Sequence, residues 1–248
     1  MNKSWKLIVL LIVSYSVFML LLTPAAWWLK LVSLPTGLQL GSVSGTLAQG
    51  KVSAVQYKQL YLPELRWQLN AWQLFTAKAQ FSVTSGSKQQ ASLPYVDATL
   101  NYGFSGMSLQ NSLFRLQVAD VLPLLALPLP MAASGELVLD ITDYQQGQPW
   151  CESLQGNASW LDAKLQSLSG NWLDFQALFA DMHCEQGSIV MNTAADNLLG
   201  LDAEIRLDNA RLQLNGSLKP DPSLPEEVHQ AMQFVGRPDA NGRYTLKL

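Results

Sequence analysis

The sequence predicts a mainly β chain: a single N-terminal transmembrane helix followed by a curved antiparallel β-sheet domain with one or two short helices. Three observations carry that expectation. Residues Leu7 to Leu29 run without a charge between Lys6 and Lys30. Most of the chain beyond Lys30 alternates apolar and polar residues at period two. Glycines recur where those alternating runs begin.

The uncharged run is long enough for a membrane helix, which needs about 20 residues for a hydrocarbon layer of about 30 Å. Lys3, Lys6 and the free amine precede it, while Lys30 alone lies close behind it. By the positive-inside tendency, residues 1–6 are cytoplasmic, 7–29 span the membrane, and 30–248 lie beyond it. Trp5 at one end and Trp27 and Trp28 at the other suit interfacial belts. The competing reading is a cleaved signal peptide with Thr23-Pro24-Ala25-Ala26 as its small-residue site. Against it stand the length of the run, Pro24 and the bulky pair after it.

Beyond the run, Leu65, Trp67 and Leu69 alternate with Arg66, Gln68 and Asn70, and Phe114, Leu116 and Val118 with Arg115 and Gln117. The clearest alternation is Leu201, Ala203, Ile205 and Leu207 against Asp202, Glu204, Arg206 and Asp208. A turn at Asp208-Asn209 comes next, then Leu212 and Leu214 alternate with Arg211 and Gln213. This predicts a half-buried antiparallel hairpin, whose register is specified because a one-residue slip would expose every leucine. Ser223-Leu-Pro-Glu226 reads as a capping box opening a helix with Val228, Met232 and Val235 on one stripe, ending at Gly236. A second helical piece is expected near Asn171 to Asp181, where Trp172, Phe175, Leu178 and Phe179 share a helical face. Linkers are expected at 84–90 and 143–149, the second separating two sub-sheets. Val121 to Ala133 is apolar but short and broken by Pro123, Pro128 and Pro130, so it reads as a buried or partner-facing segment. Leu125 and Leu127 are its candidate partner-binding residues.

Chemistry is sparse. Charged residues make up 14% of the chain and the net charge is −3, with no basic patch of the kind nucleic acid demands. The two histidines, His183 and His229, sit in no catalytic motif: there is no G-x-S-x-G elbow, H-E-x-x-H, P-loop or dinucleotide fingerprint. No enzyme, cofactor, metal or small-molecule substrate is expected. Cys151 and Cys184 are the two cysteines. In an oxidising compartment they most simply pair, closing a loop that would contribute about 3 kcal/mol, although two separate buried thiols fit the sequence as well.

Several segments, taken in order, resemble a known family. They are Gly41-Ser-Val-Ser-Gly-Thr-Leu-Ala-Gln-Gly50, Leu65-Arg-Trp-Gln-Leu69, Leu154-Gln-Gly156, Trp160-Leu-Asp-Ala163, Cys184-Glu-Gln-Gly187, Leu214-Asn-Gly-Ser-Leu-Lys-Pro220 and Val235-Gly-Arg-Pro-Asp-Ala-Asn-Gly-Arg-Tyr244. Together with the anchor they resemble type II secretion system protein N, also called general secretion pathway protein N. Ala48 departs from the large residue expected there. The resemblance implies an accessory, non-catalytic component of the bacterial inner membrane that binds other secretion subunits and serves export of folded periplasmic proteins. The strand pattern is also similar, at the level of fold, to AsmA-like proteins, whose curled sheets form apolar grooves. That similarity implies the alternative function, a periplasmic protein that binds or transfers lipid.

Overall fold

The computed structural model describes residues 3–29, 34–90, 93–124, 132–167, 169–194, 196–208 and 211–247. The chain opens with α1 (Lys3–Leu22) and a one-turn α2 (Ala25–Leu29). The predicted span 7–29 is therefore not one helix. Pro24 lacks the N–H that would continue the ladder, and α1 stops two residues before it, with Thr23 Oγ1 donating to Met19 O. Among the described residues no helix is long and apolar enough to cross a membrane. The uncharged part of α1, Leu7–Leu22, measures about 24 Å at 1.5 Å per residue.

Among the described residues the remaining chain supplies fifteen strands and little else. They are β1 (Leu38–Leu40), β2 (Val43–Gly45), β3 (Gln49–Tyr57), β4 (Leu60–Asn70), β5 (Ala79–Ser85), β6 (Tyr95–Gly103), β7 (Gly106–Gln117) and β8 (Ala133–Gln146). Then come β9 (Cys151–Gln166), β10 (Trp172–Asp174), β11 (Ala177–Glu185), β12 (Ser188–Thr193), β13 (Asp202–Asp208), β14 (Arg211–Leu218) and β15 (Tyr244–Lys247). A 3-10 helix, Ala71–Thr76, lies between β4 and β5, α3 (Val118–Val121) comes after β7, and α4 (Glu226–Val235) precedes β15.

All fifteen strands belong to one open antiparallel sheet, and the ladder from β3 to β9 visits them in chain order. β1 and β2 share the outer edge of β3, and β10 pairs with β9. Residues 143–149 are the end of β8 and the turn into β9, inside this ladder. Bulges break the register between Asp97 and Thr99 and at three places along β8. One extra residue on one strand bends it and raises the local twist. At the first β8 bulge Gly135 is required, because its φ is +114° and a Cβ would lie 2.4 Å from Leu161 O.

Register explains where the apolar residues go, because directly opposite residues share a face. Trp67 lies opposite Val83, which lies opposite Ala98. Phe114 pairs with Leu139, and Leu139 with Ala158. Ala158 pairs with Ala180. Met182 pairs with Met191, Met191 with Ile205, and Ile205 with Leu214. One face of the sheet is thus apolar from β4 to β14. The predicted hairpin is present with Leu207 opposite Leu212 and Ala203 opposite Gly216, and its strand begins at Asp202.

Two other expectations are corrected. Residues 171–181 form β10 and the start of β11. Leu173 and Phe175 are the buried pair, two residues apart as a strand requires, while Trp172 is half exposed. Nor does the capping box form: α4 begins after Pro225 with no side-chain cap, and Ser223 N donates to Asp221 Oδ1 instead. Helix α4 still buries Val228 and Met232 of its predicted stripe, with Val235 half-buried and Val228 packed beside Ala163, Leu173, Phe175 and Leu224. Because Phe175 is almost wholly enclosed in this cluster, Phe175→Ala should cost about 3–5 kcal/mol. Trp172→Ala, at an exposed position, should cost much less; the shifts in urea midpoint of the two variants check this.

Candidate interaction surfaces

Edges and faces are what this sheet offers a partner. On one side the short β1 and β2 blunt the edge of β3. On the other, β15 pairs with Asn215–Leu218 of β14 and leaves the first half of that strand uncovered. Among the described residues, Arg211 to Leu214 therefore hold an edge with no further strand beside it. Leu212 there is 38% exposed. Such an edge is a ready template for strand addition.

The apolar face is the second surface. Leu154, Ala158 and Met182 form its buried centre, packed by the half-buried Leu139, Ile141, Ile189 and Met191. Helix α4 covers the end near β9 and β10. Tyr144 belongs to this group. Burial pushes its phenol above the usual range, and its O–H donates to Trp150 O at 2.7 Å.

Of the residues singled out by sequence, Leu125 and Leu127 lie outside the described residues. Cys151 and Cys184 are disulfide-bonded, with Cα atoms 6.1 Å apart. The bond links the start of β9 to the end of β11, beside the β8–β9 turn. His183 lies on β11 opposite Val190, and His229 lies on α4. Among the described residues no three His, Cys, Asp or Glu side chains gather as a metal site would need.

Shifted titrations elsewhere have local causes. The hydrogen bond from Arg66 lowers Glu64. Glu185 raises the Arg206 guanidinium through an ion pair. Asp221 is lowered by Ser223. Asp239 is lowered by the backbone N–H groups of Arg243 and Asn241, each 2.8 Å from its Oδ1. These groups hold turns and strand pairs; none faces a shared cavity that would make a catalytic pair.

Comparison with known proteins bears on the role. A family model described as type II secretion system (T2SS), protein N matches residues 36–247. The chain belongs to this family. It is 31% identical over its whole length to a type II secretion system protein N of Aeromonas hydrophila, covering 98% of that protein. The protein of the same name from Vibrio cholerae is 28% identical over 89% of the chain and 88% of the relative. That of Klebsiella pneumoniae is 26% identical over 97% and 94%. No solved structure matches the chain.

Sequence reading missed the open half-edge of β14. That half-edge shows only in the register, where β15 pairs with residues 215–218 alone among the described residues. The Asp239 turn gives a pH prediction. A carboxylate whose folded pKa lies below its unfolded value stabilises above about pH 4 and loses that contribution as pH falls through the lower folded value. Asp239→Asn should therefore lower the melting temperature at neutral pH, and its difference from wild type should shrink towards pH 3.

Proposed function

We propose that the chain is an accessory, non-catalytic subunit of the type II secretion system, held in the bacterial inner membrane, whose sheet binds periplasmic parts of other subunits. Membership of the protein N family, over nearly the whole sheet, is the observation that carries this reading. Helix α1 acts as the anchor, with residues 1–6 in the cytoplasm and residues 30–248 forming the periplasmic β domain. Its uncharged portion is somewhat short. The aliphatic stem of Lys6 extends it by snorkelling, and local thinning of the bilayer absorbs the rest.

Binding proceeds by strand addition at Arg211–Leu214 or through the proline-broken segment containing Leu125 and Leu127. Replacing Leu125 and Leu127 by Asp should leave the melting temperature unchanged and reduce co-purification of secretion subunits with the full chain from detergent-solubilised membranes. Unfolding of that variant would make the segment core and end its docking role. Leu212→Lys should act in the same direction if the β14 edge is the contact, because a charged side chain blunts strand addition.

A second reading is favoured by one observation. The apolar face from β4 to β14 is half-buried, and α4 with Leu198 and Leu199 covers it near β9 and β10. Such a face is a lipid groove in waiting, as in a lipid-binding or lipid-transferring protein. Native mass spectrometry of the full chain, released from detergent, should find stoichiometric phospholipid on this reading; bare protein would dismiss it.

A further inference from the structure

The two residues that follow α1 lead directly into a backbone contact with the sheet. Pro24 bridges Thr46, in the β2–β3 turn, two residues after α1 ends. The end of β4 is fastened to the same turn: Trp67 Nε1 donates to Thr46 O at 3.2 Å and Leu47 O at 3.1 Å, and Leu69 N to Ala48 O at 2.7 Å. Gly50 admits the indole, since a Cβ there would lie 2.3 Å from Trp67 Cζ2. The exit of the helix and the last residues of β4 therefore form one rigid corner.

The 3-10 helix Ala71–Thr76 comes at once after β4 and is well made. Asn70 Oδ1 accepts from Trp72 N, Thr76 Oγ1 donates to Gln73 O, and Ala77 ends the turn in the left-handed region. A turn this ordered nevertheless holds Trp72 81% exposed and Phe75 84% exposed, their ring centroids 5.8 Å apart. At the same end of the sheet, in the β6–β7 turn, Phe104 is 98% exposed. A Cβ on its neighbour Gly103 would stand 3.4 Å from Lys78 Cγ, so the two tips adjoin, with an exposed lysine between them. The cleft behind Phe104, about 370 Å³, is lined by amides including Gln73, Gln80, Asn101 and Gln110.

We propose that this corner is a membrane-docking edge, which sets Trp72, Phe75 and Phe104 into the interfacial layer of the bilayer that holds α1. The inference rests on the reading of α1 as an anchor and goes beyond it. A bilayer is favoured over a protein partner because these exposed aromatics sit on two adjoining turns beside the helix exit. Ring side chains settle at the depth of the headgroups, and Lys78 complements anionic lipid. The amide-lined cleft suits the polar headgroup layer, which keeps the insertion shallow.

The test uses the full chain in vesicles of phosphatidylethanolamine and phosphatidylglycerol. The chain has no free thiol to compete with a label. A fluorophore is placed at Phe75→Cys or Phe104→Cys, with Phe18→Cys reporting on α1. Tyr61→Cys reports on the opposite end of β4, about 30 Å away by strand rise. Nitroxide lipids and aqueous iodide are the two quenchers. The docking edge requires loss of emission at 75 and 104 to nitroxide lipid with protection from iodide, and the reverse at 61. If 18 is reached by nitroxide lipid while 75 and 104 behave like 61, the edge stands off the bilayer and the proposal fails with the anchor intact. Shielding of 75 and 104 from both quenchers would assign the tips to protein contact and also overturn it. A label at 18 that nitroxide lipid never reaches removes the anchor, and the docking edge with it.

Discussion

A sheet of one layer has no second layer behind which to hide its apolar face, and that constraint governs the rest of this structure. Sandwiches bury such faces against each other. Here each half-buried side chain must be shielded chiefly by its neighbours along and across the strands. Bulges concentrate in β8, at the middle of the sheet, where bending brings flanking strands closer to one another. Small residues at Ala98, Gly156 and Ala158 leave room in the same region. Ala163 and Phe175 are almost wholly enclosed where α4 crosses the face.

Specification of register must then come from both sides of the sheet. On the apolar side a slip of one residue would turn every leucine to solvent. On the other side, amides are bonded across four consecutive strands. Asn70 Nδ2 donates to Gln80 Oε1 at 2.9 Å, Gln80 Nε2 to Asn101 Oδ1 at 3.0 Å, and Asn101 Nδ2 to Gln110 Oε1 at 3.3 Å. This ladder explains why a chain with so few charges can be wet on one face. Its polar surface is made of groups that satisfy one another, so it needs little help from ion pairs, which are worth little when exposed.

Much of this was legible in the sequence wherever the two faces differ sharply. The hairpin of β13 and β14 could be read because apolar and charged residues alternate without exception from Asp202 to Asp208. The segment 171–181 could not, because aromatics at 172, 175 and 179 match a helical period while the buried residues are 173 and 175. A positive φ at Gln176 resets the strand between β10 and β11, so one period-two pattern is split into two short ones and looks like neither. Ser223 misled for a related reason: Asp221 two residues earlier competes for the same backbone and holds it in a turn. The span 7–29 was read from apolarity, which does not register that Pro24 divides it.

The turn at Asp239 shows how the far edge is kept from fraying. β15 is only four residues long, too short to hold itself on β14 by its ladder alone. Arg243, just before it, donates through Nε to Ser217 Oγ at 2.8 Å and through Nη2 to Gly200 O at 2.8 Å and Ser217 O at 3.2 Å. Its backbone N–H is held by Asp239 Oδ1. One arginine therefore ties the last turn, β14 and the loop before β13 together, using the fixed fork of the guanidinium where a lysine would offer a single point. That clamp acts at the 215–218 end, and among the described residues no strand pairs with the far side of β14 from 211 to 214.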